Sequence, residues 1–319
     1  MSFSGKVKEE LSRQSAGARH CQIAEIAAII TLCGRIIISS ESRVSVKINT
    51  ENIAVARKYY VLVKKAFKLL PEVSIRQNAY AKGGRTYTIT VNKHDDALNI
   101  LMAIKLMDYN LEFSEDMAFI NNVITKEICC KRAFIRGAFL AAGSISDPEK
   151  SYHFEIVCPG EEKAEQIKDI INYFEIDAKI VERKKHFVVY IKEGSGIVEI
   201  LNVMEAHISL MDLENVRILK EMRNTVNRKV NCETANINKT VGAAVKQVAD
   251  IEYIRDTVGL DSLPEQLYEM AILRLDNPEA SLIELGSMLC KPVGKSGVNH
   301  RLRKLCEIAD NLKEERNEG

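Results

Sequence analysis

The sequence predicts an α+β protein in which an α-β-β-α-β-β-α unit occurs twice and an all-α domain follows. Two observations carry this prediction. Residues about 21–106 and 131–204 of the 319-residue chain show the same order of helical and strand-like apolar periods. The last part of the chain shows helical periods only. We therefore divide the chain into a duplicated domain at 1–207, a helix and linker at 208–239, and a helical domain at 240–319.

The composition excludes several classes of protein. With 46% hydrophobic and 28% charged residues, the chain has the composition of a globular protein rather than a disordered one. Lys and Arg number 45 and Asp and Glu 44, so a nucleic-acid site must be a local basic patch. The uncharged run at 26–34 is too short for a bilayer, and the first residues, MSFSGKVKEEL, lack the apolar segment of a signal peptide. We expect a cytoplasmic protein.

The eight cysteines and six histidines form no recognisable metal-binding motif. Zinc sites are usually marked by ligand pairs two to four residues apart, whereas the close cysteines here are the adjacent Cys129 and Cys130. We expect reduced thiols that pack as small hydrophobic side chains. The sequence thus predicts no metal and no cofactor.

A small, apolar helix that ends at a glycine opens each copy of the repeat. The two segments read CQIAEIAAIITLCG and KRAFIRGAFLAAG, and glycine is common directly after the last helical turn. The two glycines, Gly34 and Gly143, are 109 residues apart. This spacing sets the register in which the two copies are compared.

Two hairpins and two helices follow in each copy. The first hairpin has Val44, Val46 and Ile48 at alternate positions, and Phe154 and Ile156 alternate in the same way in the second copy. An amphipathic helix comes next (53–70 and 164–174), then a second hairpin (73–91 and 178–192) and a closing helix (98–105 and 197–204).

The order of these elements resembles the LAGLIDADG homing-endonuclease fold. In that family the two glycine-ended helices pack against each other, which requires small residues at the contact. This chain supplies Ala27, Ala28, Gly137, Ala138 and Ala141. Active members of the family carry an acidic residue directly before each glycine, and the two carboxylates hold the divalent metal that cuts DNA.

The two acidic positions are occupied by Cys33 and Ala142 in this chain. Neither side chain has the oxygen ligand that Mg²⁺ requires, and the next acidic residue, Asp147, belongs to an Asp-Pro turn. The resemblance therefore implies a degenerate domain that is not an enzyme. An active LAGLIDADG-type endonuclease is the disfavoured alternative.

The strands of the first copy offer one surface for DNA. Its outward-facing positions are polar and include the basic residues Arg43, Lys47 and Arg76, which we interpret as secondary DNA contacts. The corresponding positions of the second copy include Glu155, which opposes phosphate binding. Binding of a protein partner is the competing use of these strands.

The C-terminal third begins with a helix at 208–226 and a polar stretch at 227–239, which we interpret as a linker because it has no apolar period. An amphipathic helix at 240–258 follows, then three closely spaced helices. The first spans about 264–275. The second begins at Ser281, where Glu284 completes a capping box. The third covers 296–311, and Gly286 lies where a helix-turn-helix needs a small residue.

The third of these helices carries the candidate DNA-binding residues. The stretch from Lys291 to Lys304 contains five basic residues and no acidic one. The candidate residues are Lys291, Lys295, Ser296, Asn299, His300, Arg301, Arg303 and Lys304, within a helix-turn-helix between Ser281 and Lys313. Amide and guanidinium groups can contact base edges, and lysines can contact phosphates. Double-stranded DNA is the predicted partner, and a helical bundle that binds protein is the alternative.

Three segments make the chain similar to the WhiA family of bacterial regulators: SFSGKVKEEL, NRKVNCETANINKT and GKSGVNHRLRKL. Members combine a degenerate LAGLIDADG domain with a helix-turn-helix domain. The resemblance implies a nucleoid-associated, sequence-specific DNA-binding protein that regulates transcription in sporulation, or in cell division and chromosome segregation. It also implies contact with the transcription machinery or a co-regulator protein. A division protein that acts mainly through protein partners is a further alternative.

Overall fold

A computed structural model describes residues 2–14, 17–40, 42–77, 84–107 and 123–318 of the chain. The chain forms two compact units, Met1–Lys220 and Glu221–Gly319. The boundary between the two units lies after residue 207, where the sequence predicts the end of the duplicated domain. It lies before residue 240, where the sequence predicts the start of the helical domain. Within the described ranges, no helix is long and apolar enough to cross a bilayer.

The first repeat follows a short N-terminal helix, α1 (Phe3–Arg13), which the sequence patterns did not predict. Its elements are α2 (Arg19–Cys33), β1 (Gly34–Ile38), β2 (Val44–Thr50), α3 (Ile53–Phe67), β3 (Glu72–Gln77), β4 (Arg85–Val91) and α4 (His94–Ala103). The strands form an antiparallel sheet in the order β1-β2-β4-β3.

The second repeat has the same elements in the same order. They are α5 (Ile128–Ala142), β5 (Gly143–Ile145), β6 (Phe154–Cys158), α6 (Glu161–Asn172), β7 (Lys179–Arg183), β8 (His186–Ile191) and α7 (Gly194–Val203). The strand order β5-β6-β8-β7 repeats that of the first sheet. The predicted α+β fold with a duplicated α-β-β-α-β-β-α unit is therefore confirmed.

Helices α2 and α5 pack against each other along small residues. A side chain at Gly137 would place its Cβ 3.0 Å from Cβ of Ala28 and 2.5 Å from the carbonyl oxygen of Glu25. Such distances leave no room for a methyl group, so Gly137 is needed for the close approach of the two helices. Ala27 and Ala138 are fully buried beside this contact. The predicted small-residue contact is confirmed.

The glycines at the ends of α2 and α5 serve close packing rather than a left-handed turn. Gly34 and Gly143 have φ of −85° and −89°, which any residue can adopt. A Cβ at Gly34 would lie 2.4 Å from the carbonyl oxygen of Ile30, and one at Gly143 would lie 2.7 Å from that of Phe139. Glycine therefore lets each helix pass directly into its strand.

The second unit begins inside the long helix α8 (His207–Thr257), which is continuous for 51 residues. The prediction of a linker at 227–239 is therefore wrong, because that stretch is helical. The side chains at 221–243 are all exposed. Apolar periodicity reports burial of one helix face, so a helix with no buried face shows no period. The absence of an apolar period in this exposed stretch therefore led to the wrong prediction of a linker.

Three helices follow α8 and share one core with its C-terminal end. A short 3-10 turn (Leu260–Ser262) leads to α9 (Glu265–Asp276), α10 (Leu282–Met288) and α11 (Lys295–Glu318). The core contains Ile251 and Ile254 of α8, Met270 of α9, Leu285 of α10 and, from α11, Val298, Leu302, Leu305 and Ala309. The apolar stripe predicted for the last helix is confirmed, although α11 extends beyond its predicted end at 311.

Candidate nucleic-acid interface

Helix α11 turns a polar face away from its apolar stripe. Ser296, His300, Arg303 and Lys304 lie on this face and are exposed. Asn299 flanks it on one side and is exposed as well, whereas Arg301 flanks it on the other side and is half-buried. Lys295 and Lys291 are exposed at the start of the helix and in the preceding turn. The eight predicted residues therefore form one surface, with Arg301 at its edge.

Helix α10 is held against α11 by a glycine contact. A Cβ at Gly286 would lie 2.3 Å from the carbonyl oxygen of Val293 and 3.1 Å from Cγ2 of Val298. The backbone amide of Val293 donates a hydrogen bond to the carbonyl of Gly286 at 3.1 Å, which closes the turn between the helices. The predicted close contact at Gly286 is confirmed, and any larger residue there would push α11 away from α10.

The start of α10 is fixed by the predicted capping box. The amide of Glu284 donates to the Ser281 hydroxyl at 3.3 Å, and the amide of Ser281 donates to the Glu284 carboxylate at 2.7 Å. The second bond lowers the pKa of Glu284. Ser281 therefore orients α10 through local bonds that the sequence alone could predict.

Buried Arg274 connects α9 to its neighbours. Its Nε and Nη2 donate to Oε1 of Gln247 on α8 at 3.0 and 2.8 Å, and its Nη1 donates to the carbonyl of Ala280 at 2.7 Å. The side chain is 3% exposed. These bonds fix the loop that precedes α10, and thereby the helix pair that presents the basic surface.

Two acidic residues near the basic surface are engaged in the fold. Glu269 of α9 accepts a hydrogen bond from the amide of Cys290 at 2.7 Å, which lowers the pKa of Glu269. Glu307 lies 3.2 Å from Arg303 one turn along α11, in a pair whose side chains are 77% and 60% exposed. An exposed pair of this kind is weak, so Arg303 can exchange Glu307 for an external partner.

Asn299 and Lys295 also line a groove of the second unit. The groove measures about 1040 Å³ and lies between α8, the loop before α10 and the start of α11. Val241 and Val245 of α8 and Ile283 of α10 contribute exposed apolar side chains to it. The groove therefore gives this unit an apolar surface in addition to the basic face of α11.

The basic residues predicted on the first sheet are spread over one face. Lys47 of β2 is half-buried and pairs with Arg35 of β1 and Thr90 of β4, while Arg76 of β3 is exposed opposite Thr86. Arg43 is exposed just before β2. Glu72, which pairs with Thr90, adds an acidic residue to the face. The structure therefore gives this sheet a mixed rather than a purely basic surface.

The second sheet has a carboxylate at the centre of the same face. Glu155 accepts a hydrogen bond from the Ser144 hydroxyl at 3.0 Å, and its other oxygen lies 3.1 Å from Nε2 of His153 and 3.5 Å from Nη1 of Arg183. The Arg183 guanidinium and the His153 ring are thus engaged with an internal acid. This sheet is the less suitable of the two for phosphate.

The C-terminal ends of α2 and α5 carry no oxygen ligands at the positions that bind metal in active LAGLIDADG enzymes. Cys33 and Ala142 are the last residues of the two helices. The Cys33 thiol donates to the carbonyl of Ile29 at 3.2 Å, and burial raises the pKa of this thiol to about 11. Asp147 accepts from the amide of Glu149 at 3.1 Å and thus caps its own turn.

Lys8 lies near the C-terminal ends of α2 and α5. Lys8 of α1 interacts with Cys33, and its Nζ is 5.6 Å from the ring centroid of Phe139. Burial lowers the pKa of Lys8 to about 8, and Cys33 partly offsets this effect. The C-terminal ends of helices favour a positive charge, so a lysine is compatible with this position. Sequence analysis missed Lys8 because α1 lies outside the repeat.

Four residues with metal-ligating atoms meet at the opposite ends of α2 and α5. They are His20, Cys21, Cys129 and Cys130, and their ligand atoms all lie within 4.8 Å of one another. The spacing of these residues in the sequence predicted no metal-binding motif, and the structure nevertheless brings the four together. Their shared spacing of 109 residues, equal to that of Gly34 and Gly143, was the signal that could have found them.

Three segments of the chain match models of a single protein family. Residues 19–107 match the model of the WhiA N-terminal LAGLIDADG-like domain, 131–223 that of the WhiA LAGLIDADG-like domain, and 226–309 that of the WhiA C-terminal HTH domain. The chain belongs to the WhiA family. The resemblance seen in the three sequence segments is thereby confirmed.

Relatives of known name cover almost the whole chain. A protein named "Probable cell division protein WhiA" from Lachnoclostridium phytofermentans is 55% identical over 98% of this chain and 100% of its own length. A protein of the same name from Clostridium botulinum is 44% identical over 98% and 99%. The crystal structure of full-length WhiA from Thermotoga maritima aligns with a TM-score of 0.59 at 27% identity, over 98% of this chain and 99% of that one.

Proposed function

We propose that the protein is a non-enzymatic, sequence-specific DNA-binding regulator of transcription, whose second unit reads DNA through α11. The observation that carries the proposal is the exposed polar face of α11, which belongs to a stretch from Lys291 to Lys304 without an acidic residue. Basic residues on one helix face match the phosphates and base edges of a major groove. The HTH family assignment supports this use of the helix.

The roles within the surface follow from side-chain chemistry. Asn299 and Arg303 have the donor geometry to contact adenine and guanine edges, and His300 and Ser296 lie beside them. Lys291, Lys295 and Lys304 supply point charges for phosphates, which position the helix without reading sequence. Arg301 is half-buried at the edge of the surface and contacts the DNA backbone. Arg43, Lys47 and Arg76 of the first unit add secondary phosphate contacts.

The names of the relatives suggest which biological role to propose. Proteins named for cell division cover nearly the full length of this chain, so we propose target genes in cell division and chromosome segregation, or in sporulation. A nucleoid location and contact with the transcription machinery or a co-regulator follow from such a role. The apolar groove beside Asn299 favours a second candidate function, in which the protein acts mainly through protein partners.

Genome-wide mapping of bound DNA separates the two candidate functions. The regulator predicts discrete sites that share a sequence and that disappear in an Asn299→Ala, Arg303→Ala variant. An Ile283→Ser variant changes the apolar groove instead and should keep these sites. Mapped sites that survive the first variant and vanish in the second would support action through a protein partner.

We also expect that the protein does not cleave DNA with Mg²⁺ or Mn²⁺. Hydrolysis in a LAGLIDADG site needs metal ions held by carboxylates, whereas Cys33 and Ala142 have no side-chain oxygen. Incubation of the protein with supercoiled plasmid and with its own bound DNA checks this. Nicking that co-purifies with the protein and is lost in an Asp147→Asn variant would contradict the non-enzymatic proposal.

A further inference from the structure

The group formed by His20, Cys21, Cys129 and Cys130 has the composition of a metal site. Among the described residues, no other group of three or more His, Cys, Asp or Glu side chains converges in this way. Three thiols and one imidazole are a common ligand set of structural Zn²⁺. The set contains no carboxylate, so it is unsuited to Mg²⁺ or Ca²⁺, which prefer oxygen.

The distances between the ligand atoms suit a tetrahedral ion. Nδ1 of His20 lies 3.1 Å from Sγ of Cys130, 3.4 Å from Sγ of Cys21 and 4.0 Å from Sγ of Cys129. With Zn–S and Zn–N bonds of about 2.3 and 2.1 Å, tetrahedral geometry requires about 3.6 Å between nitrogen and sulfur. The three observed distances lie on both sides of this value. Small side-chain rotations would therefore complete the tetrahedron.

The backbone places the four residues at equivalent positions of the two repeats. His20 and Cys21 are the second and third residues of α2, and Cys129 and Cys130 are the second and third residues of α5. Each helix thus contributes two adjacent ligands from its first turn.

The burial of the ligands leaves a path for the ion. Cys130 and Cys21 are 3% and 9% exposed, whereas His20 and Cys129 are exposed. The two buried thiols form the floor of the site, and the two exposed ligands would close over an ion from the solvent side. The fourth ligand position is filled by protein, as in structural rather than catalytic zinc sites.

We propose that these four residues bind one Zn²⁺, which links the first turns of α2 and α5 and so joins the two repeats. The site is structural, and it lies at the opposite helix ends from the degenerate catalytic positions. It does not depend on DNA binding by the protein.

Cobalt titration of the reduced, metal-free full-length protein tests the proposal. The protein should bind one Co²⁺ per chain, with the thiolate charge-transfer band and intense visible bands of a tetrahedral site, and added Zn²⁺ should abolish these bands. Cys129→Ser should remove the charge-transfer intensity of one thiolate. It should weaken binding by about 10-fold or more, since even the loss of an outer-shell partner costs about 10- to 100-fold. Because Cys129 is exposed, this variant should still fold.

Two further variants complete the design. Cys232→Ser removes an exposed cysteine of α8 and should leave the cobalt spectrum unchanged, and His20→Ala should weaken binding without removing the thiolate band. Saturating Zn²⁺ should raise the unfolding temperature of the wild type more than that of Cys129→Ser. Absence of a thiolate band in the wild type, or equal binding by wild type and Cys129→Ser, would overturn the proposal. So would mass spectra that show these thiols joined as a disulfide in the protein purified with reductant.

Discussion

The central helix pair of the first unit and the polar face of α11 in the second unit use ionised side chains in opposite ways. At the paired helices of the first unit, Glu25 is fully buried, with Nζ of Lys58 3.1 Å and Nε of Arg136 3.3 Å from its Oε1. On α11 of the second unit, Lys295, Arg303 and Lys304 are exposed. Arg303 is held there only by a weak surface pair. The buried charges of the helix pair contact one another within the fold, whereas the exposed basic residues of α11 remain available for a polyanion. The comparison therefore assigns the buried charges to the contact between α2, α3 and α5, and the proposed DNA contact to α11.

The largest expected effect concerns the buried pair. Glu25→Gln removes the buried negative charge that Lys58 and Arg136 share. Arg136 keeps Glu205 2.8 Å from its Nη1, whereas Lys58 is left facing a neutral amide. Breaking a buried ion pair on one side typically costs about 3–5 kcal/mol. Chemical denaturation at neutral pH measures the loss. The matched control is Glu214→Gln on α8, which disrupts a surface pair with Arg217 and should cost less than about 1 kcal/mol.

The loss in Glu25→Gln should shrink as the pH rises. Burial lowers the pKa of Lys58, and Glu25 opposes that effect, so the variant lowers this pKa further. A lysine with a lower pKa in the folded state destabilises the fold below that pKa, and the penalty disappears as the pH approaches the unfolded value of 10.5. A deficit that is constant with pH, or equal to that of Glu214→Gln, would show that the buried pair has no special role.

An intermediate effect is expected from the residues that read bases. Asn299→Ala and Arg303→Ala should each reduce the preference for specific over random DNA by about 1–3 kcal/mol, because each removes a bidentate base contact. Lys291→Ala is the control, and it should weaken both DNAs alike. Binding to operator and random duplexes at one salt concentration measures the difference. Equal losses for all three variants would mean that α11 does not read sequence.

The smallest effect is expected on the first sheet. Lys47→Ala combined with Arg76→Ala should weaken operator and random DNA equally, and by less than any two-lysine variant of α11, because Glu72 shares their face. The same binding assay checks this. A larger loss than that caused by the α11 variants would move the main DNA contact to the first unit.

The sequence allowed prediction of features that depend on local pattern. The capping box of Ser281 and the close contact at Gly286 follow from residue types at short spacing, and the duplication follows from the repeated order of such local patterns. The structure confirms all three. The exposed face of α11 follows in the same way from the 3.6-residue period of its apolar stripe. A continuous α8 could not be predicted because its exposed middle has no such stripe.

Features that join distant residues could not be read from local pattern. Glu25 meets Arg136 across the helix pair, and His20 meets Cys130, although more than 100 residues separate each pair. Only the spacing of 109 residues between equivalent positions of α2 and α5 carried information about these contacts. From the sequence alone, Glu25 and the cysteines of α2 and α5 could not be distinguished from the other residues of these helices. Their contacts form only when the two helices pack together.

Salt dependence of DNA binding tests the central claim, that α11 carries the DNA contact. We would compare the full-length wild type with a Lys291→Ala, Lys295→Ala, Lys304→Ala variant on the same DNA. Each phosphate contact contributes about 0.9 to the slope of log K against log salt, so the triple variant should lose about 2.7 of that slope. The Lys47→Ala, Arg76→Ala variant should lose less. An unchanged slope in the triple variant would contradict the assignment of DNA binding to α11.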